Sequence, residues 1–380
     1  MLRAAPFIFT LTVLAAVGCA ANPSDDSVPP SELPALAARA AAHPDDADVR
    51  FRLGVGYYDA GRYPAADSAL RAALALDSTD VQARIYLAYV EEARGALDSA
   101  TADLAAARPS ADAATQAAID DRLALIHREQ LVADARAALA AESTLTTLPP
   151  EPATIAVLPF RAVGPDTDLI PLGRAVADLV LNDLGKLTEL RLLERDRVEA
   201  LVSEMRLADS GLVDPATAAR PGRLLRAERI VQGAVEARDT AAVGLTAGVV
   251  RTADGSLAAA ATADDPLPQV IAAEQRLVRG IVRGLGITPT PAEDSALRVP
   301  ATRSYPALLA YGRGLVALDR GDFATADRQF GAAAAADPGF QAAAARAGAS
   351  ARLGRATGVS ARRLAGRRRI HRIIRRRRRR

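Results

Sequence analysis

From position 34 to 145, apolar residues recur every three or four places among Arg and Asp, the spacing of a single helix face. A longer period overlies that rhythm. Leu53, Gly61, Ala66, Leu70 and Ala73 return as Leu87, Gly95, Ala100, Leu104 and Ala107, each thirty-four residues on. Small residues at fixed places mark where two helices cross closely, and Gly61 lies where a tight turn must join them. Ala66 and Ala100 should face inward, and their neighbours Asp67 and Thr101 outward. Leu36 and Pro44 share the phase one period earlier, so a half repeat is expected ahead. A further unit, "AYGRGLVALDRGDFATADRQFGAAAAADPGF", places Gly314, Gly321, Phe323, Ala326, Phe330, Ala333, Asp337 and Pro338 in the same register.

Between these arrays the period changes. "TIAVLPF" (154–160) is a short β-branched run suited to a strand buried on both faces. "PLGRAVADLVLNDLGKL" then sets Leu172, Val176, Leu179, Val180, Asp183, Leu184 and Leu187 at helical spacing. "LRLLER" reads as a second buried strand. Asp196 opens the next helix, with Glu199 three residues on as in a capping box, and Val198, Leu201, Val202 and Met205 inward. A polar loop and a short helix lead to a third strand, "RIVQGAVE". A hairpin over Val243 to Thr262 turns at Asp254-Gly255, and "QVIAAEQRLVRGIVRGL" closes the block as an amphipathic helix. The order β-α-β-α-α-β-β-β-α predicts a mixed sheet backed by helices.

The thirty-four-residue pattern resembles the tetratricopeptide repeat, a pair of antiparallel helices per unit. Leu53, Gly54 and Tyr57 match its first helix, and Ala66 and Ala73 its second. Glu91 stands where an aromatic is usual, and Arg313 replaces the usual Leu. The resemblance implies repeat-on-repeat packing and a concave groove for a peptide or partner helix. The middle block, above all "IAVLPF" followed by "LLERDRVEALVSE", resembles the CsgG/HfaB family. Its opening is shared with the N-terminal domain of TolB-like proteins and with periplasmic activators of penicillin-binding proteins. CsgG pores insert long transmembrane hairpins; only one long hairpin is expected here, Ala-rich and without an aromatic girdle. "LADSGLVDPATAARPG" is polar and Pro-interrupted and cannot supply a second.

The fold class is therefore α+β and multidomain, with α-helical tetratricopeptide repeats flanking a mixed-sheet α/β CsgG-like domain. The expected segments are a lipoprotein signal peptide (1–18), a tether (19–33), N-terminal repeats (34–145), a linker (146–153), the CsgG-like domain (154–288), a C-terminal repeat (303–354) and a basic tail (355–380). The packing positions are Leu53, Gly54, Tyr57, Gly61, Ala66, Ala73, Leu87, Gly95, Ala100, Ala107, Gly314, Gly321, Ala326, Phe330, Ala333 and Pro338.

Charge and composition change this picture at the two ends. The formal net charge is +3, but the last twenty residues hold twelve Arg and no acid, leaving the rest near −9. No nucleic-acid partner is expected of the folded part. The tail has three readings: an electrostatic contact to anionic lipid or nucleic acid, a solvated extension, or a terminus read out of frame in a GC-rich gene. No function is assigned to it. At the other end "MLR", the apolar run "AAPFIFTLTVLAAV" and Cys19 after "AVG" form a signal sequence. Cys19 is the only cysteine, and its setting resembles the bacterial lipobox, with Ala16 where Leu is usual. That resemblance implies acylation of Cys19 and an outer-membrane lipoprotein facing the periplasm.

Candidate chemistry is sparse. His43, His127 and His371 lie in separate segments without Cys or paired acids at ligand spacing. Glu194, Arg195, Asp196, Arg197 and Glu199 form a charged cluster with no nucleophile or His beside it in the sequence. They are read as a helix cap with solvated ion pairs. No enzyme, cofactor or metal is expected. The expected role is an assembly or scaffold factor with envelope protein partners, a homo-oligomer being open. It could be linked to curli-like secretion or surface-structure biogenesis. The alternatives are a regulator of a cell-wall synthase or a TolB-like adaptor or sensor.

Overall fold

The computed structural model describes residues 28–205, 215–238, 242–361 and 364. The segment read as a signal sequence, with Cys19, the residues 206–214 of the polar loop, and His371 with the Arg run lie outside the described residues.

After α1 (Leu33–Ala42), two helix pairs follow: α2 (Ala47–Asp59) with α3 (Tyr63–Leu76), and α4 (Val81–Ala93) with α5 (Leu97–Ala107). Corresponding helices begin thirty-four residues apart because the start signals repeat at that spacing. Asp46 and Asp80 cap α2 and α4, accepting from the backbone N–H of Val49 and Ala83 at 3.1 and 3.2 Å. Gly61 and Gly95 make the turns at φ of 68° and 77°, a region where a Cβ is strained. A third first helix, capped by Asp112, does not turn back: α6 (Ala113–Ala140) runs for 28 residues. It leads through α7 (Glu142–Leu145) into the sheet.

The α/β layer follows the expected element order with one added strand. Its elements are β1 (Glu151–Val157), β2 (Arg161–Val163), α8 (Leu169–Leu184), β3 (Arg191–Leu192), α9 (Arg195–Met205), α10 (Pro215–Leu225), β4 (Ala227–Ala237), β5 (Ala242–Arg251), β6 (Leu257–Pro266) and α11 (Val270–Gly284). Strand order is β3-β1-β4-β5-β6. β1 lies parallel to β3 and β4, while β4, β5 and β6 form an antiparallel meander. β1 starts three residues before the expected strand and ends at Val157. Pro159 has no N–H to continue the ladder, and the strand resumes as β2 on the same edge of β4.

The single expected hairpin is in fact two, built from strands of 11, 10 and 10 residues. The turn around Asp254-Gly255 is where the sequence placed it, with Gly255 at φ 72°. One face of the meander (Val231, Val235, Val243, Leu245, Val249) joins the core shared with α8 and α11. α10 is the short helix expected after the polar loop; it contains Pro221 inside it and takes in part of the Pro-interrupted stretch. Its Leu224 and Leu225 pack with Val198, Leu201 and Val202 of α9 against Ala156, Ile230 and Val250 on the opposite face of the sheet.

After α12 (Pro291–Leu297) come α13 (Tyr305–Asp319), α14 (Phe323–Ala336) and α15 (Gln341–Thr357). This C-terminal unit flanks the sheet, as expected, and shares its core. Tyr311, Phe330 and Phe340 belong to the same continuous core as the sheet and α8. A Cβ built on Gly312 would stand 2.6 Å from the carbonyl carbon of Pro171, so α13 and α8 touch backbone to side-chain position. The boundary expected at 354 also moves. α15 runs through Gly354 to Thr357, and Ala361 and Leu364 are buried in the core of the N-terminal helix pairs. The expected tail from 355 thus begins with packed chain.

Candidate functional site

Ala66, Ala73, Leu87, Ala100, Ala107, Ala326, Phe330 and Ala333 are buried between paired helices, and Leu53 is buried against α1 and its neighbours. Gly54 faces Leu70 and Gly314 faces Phe330, each too closely for an added Cβ. Gly321 turns at φ 75°, like Gly61 and Gly95. Tyr57 is half-buried under the Arg62 guanidinium, 4.6 Å from its ring centre. Pro338 does not pack. It is exposed in the turn after α14, and Phe340 fills the core there instead. Asp67 and Thr101 are half-buried rather than outward, Asp67 being paired with Arg71 and Arg94.

Both departures from the repeat pattern carry ion pairs. Glu91 is buried in α4 and accepts from Arg71 of α3 at 2.5 Å. Burial, with Asp103 adding to it against the pull of Arg71, pushes its carboxyl up to about 7. Arg313 donates to Asp168 at 2.9 Å, tying α13 to the residue before α8.

The charged segment at 194–199 differs most from its sequence reading. α9 begins at Arg195, so Asp196 lies inside the helix rather than at its cap. Glu199 instead accepts from Arg174 of α8 at 3.1 Å. Nor are the ion pairs solvated. The Arg195 side chain, 12% exposed, donates to Asp319 of α13 at 2.6 Å and lies 3.5 Å from Asp178 of α8. Asp178 also accepts from the Tyr311 hydroxyl at 2.6 Å and from Arg346 of α15 at 2.9 Å. Arg346 donates in turn to the Tyr311 oxygen at 2.7 Å. From α6, Arg128 donates to the carbonyl of Leu318 at 2.8 Å. One polar cluster thus joins α6, α8, α9, α13 and α15.

Its electrostatics follow from burial and crowding. Burial works against the Arg195 charge, but Asp319, Asp178, Glu199 and Asp196 outweigh it and raise its pKa. Burial likewise raises the Glu199 carboxyl, helped by Asp319 and opposed by Arg174 and Arg195. Burial and then Asp178 raise the Tyr311 phenol. The cavity at this point measures about 20 Å³, room for one water, and is lined by Val157, Pro159, Arg174, Asp178, Arg195 and Glu199. It lies at the carboxyl end of β1, where open α/β sheets hold their ligands. Here guanidinium and carboxylate groups of the chain itself fill that place.

The sequence held a partial signal for this cluster. Arg174 and Asp178 stand four residues apart in the apolar part of α8, a spacing that can pair within a helix but here reaches outward. Asp319, Arg346 and Tyr311 gave none. Of the histidines, His127 lies 3.7 Å from Glu194 with both side chains exposed. Among the described residues no group of His, Cys, Asp and Glu is placed to hold a metal. Lys186, the only lysine, donates to Asp183 at 2.7 Å and to the carbonyls of Ala296 and Val299, both at 3.2 Å.

No curated protein matches the chain. Among solved structures, lipoprotein GNA1162 from Neisseria meningitidis aligns at 17% identity over 30% of this chain and 81% of its own, with a TM-score of 0.23. The C-terminal domain of LpoB from Salmonella enterica aligns at 11% identity over 33% of this chain and 93% of its own, with a TM-score of 0.24. The family comparison falls on the α/β layer, from the last turns of α6 to the end of β6. Residues 136–267, about a third of the chain, match the family of the curli production assembly/transport component CsgG, and this layer is a CsgG-like domain.

Proposed function

We propose that the chain is a bacterial cell-envelope lipoprotein, anchored through Cys19, that serves as a non-enzymatic assembly or scaffold factor. The observation that carries this reading is the CsgG-like domain locked between two sets of paired helices. The place at the carboxyl end of β1 is filled by internal ion pairs, and the paired helices beside it offer extended surfaces to other molecules. Tetratricopeptide-type pairs supply such surfaces and bind protein segments. A link to curli-like secretion or surface-structure biogenesis is the finer form of the proposal, with the outer membrane, periplasmic face, as its place.

Two experiments test it. Cys19→Ser should move the protein out of the membrane fraction and abolish palmitate labelling; unchanged fractionation rejects the anchor. Affinity capture from envelope extract should recover secretion or surface-assembly components. Recovery of a penicillin-binding protein synthase or of signalling proteins instead would replace the curli-type role with that of a synthase regulator or an adaptor.

A further inference from the structure

Beyond Thr357 the described residues, 358–361 and Leu364, stay against the molecule. The Val359 carbonyl accepts from the Tyr89 hydroxyl at 2.9 Å. Ala361 and Leu364 are 0% and 3% exposed and sit in the core of the N-terminal helix pairs. Just upstream, Arg355 grips both carboxylate oxygens of Asp121 at 2.9 and 3.2 Å. Arg122 reaches the Ala356 carbonyl at 3.4 Å, while its guanidinium lies 4.7 Å from the centre of the Tyr89 ring. It is held there by Glu92.

All the host side chains in these hydrogen bonds come from α4 and α6. Two of them hold carbonyl oxygens of the segment, and small or branched apolar residues supply its anchors. This is how a helical face grips a peptide: side-chain donors read the backbone, and buried positions read the sequence. α15 packs on α14 and on α6, and the segment that follows it continues onto the neighbouring face of α4 and α6.

We infer that the face of α4 and α6 is a docking surface for a short apolar peptide, and that residues 356–361 together with Leu364 occupy it as an internal ligand. The partner it fits presents a small residue and, three positions on, a leucine, within an extended or one-turn segment flanked by arginine. An external segment must displace the internal one, so its apparent affinity is lowered by the fraction of time the face is covered. This deepens the scaffold reading by naming where a partner docks, yet its test contains no partner and can fail independently.

The probe is a fluorescein-labelled peptide of residues 352–366, titrated into the full chain by anisotropy. In the variant Ala361→Asp with Leu364→Asp, the internal segment carries buried charge and should leave the face. The peptide should bind that variant about tenfold or more tighter than the unaltered chain. A peptide bearing the same two substitutions should bind neither. Tyr89→Phe keeps the ring and removes the hydroxyl donor to Val359, so it should speed hydrogen exchange across 358–364 on the order of fivefold. If the double variant loses its helical circular dichroism, that exchange measurement decides alone. Equal peptide binding to both proteins, or exchange in Tyr89→Phe no faster than in the unaltered chain, overturns the inference.

Discussion

Replacing Gly312 by alanine tests the contact on which the three-part architecture depends. An added Cβ would stand 2.6 Å from the carbonyl carbon of Pro171 and closer still to its oxygen. Carbon atoms rest about 3.5–4.0 Å apart, so α13 and α8 must part by about 1 Å. Overpacking of this kind costs about 1–3 kcal/mol. The adjacent Tyr311 hydroxyl is bonded to Asp178 of α8 at 2.6 Å, and stretching that bond adds about 1 kcal/mol. Alanine returns about 1 kcal/mol through its better helix propensity. The net loss expected is about 1–3 kcal/mol, read as a lower urea midpoint for the C-terminal helices. Gly331 is the matched control, since nothing lies within 4 Å of a Cβ there. Gly331→Ala should raise stability by about 0.5–1 kcal/mol. Hydrogen exchange over α13–α15 distinguishes local from global loss. A Gly312→Ala protein as stable as the unaltered chain would refute the docking of α13 on α8.

Arg195→Met leaves Asp319 short of its closest partner and should cost about 3–5 kcal/mol in urea unfolding, as broken buried pairs do; adding Asp319→Leu should recover much of that loss, and no recovery would mean that the pair does not act as a unit. Glu91 holds a proton in the folded chain that it releases when unfolded, up to about pH 7. Its contribution to stability is therefore full below about pH 4.5 and is lost as the pH rises through about 7. Glu91→Gln should flatten that slope for α3 and α4, and a slope unchanged in the variant would reject the shift. Glu199 and Glu274 are also raised by burial and act with the same sign. Ala66→Trp or Ala100→Trp should overpack a helix crossing and lose about 1–3 kcal/mol, whereas the same change at exposed Ser68 or Ala102 should be near neutral. Equal melting temperatures for the two classes would show the helix register to be wrong.

Much of the layout was legible because it rests on local signals. The Asp caps, the αL glycines and the buried alanines of the helix pairs all act within a few residues, and each repeats at thirty-four. The strands were legible as apolar runs, and their order gave the mixed sheet. Their extents were not. β4 and β5 owe their length to pairing with each other, which a polar end such as "VEA" does not announce. The cluster around Arg195 was misread for a related reason. Asp178, Asp319 and Arg346 look like surface residues of three helices, and only the docking of those helices makes them buried partners. Glu91 and Arg313, where the repeat pattern fails, were visible as anomalies, and both proved to be ion-pair positions. The return of Ala361 and Leu364 to the first helices had no local signature at all.

That return also sets an order of events in time. The hydrogen bond from Tyr89 to Val359 joins residues 270 apart in the chain. At about 5–20 residues per second, a ribosome needs roughly 15 to 50 seconds to make the stretch between them. The helix pairs at the front can fold in a small fraction of that interval, since their contacts are short in sequence. Each newly made copy therefore passes through a period in which the face of α4 and α6 is formed and uncovered. During that period any other molecule able to grip it competes with a segment that does not yet exist.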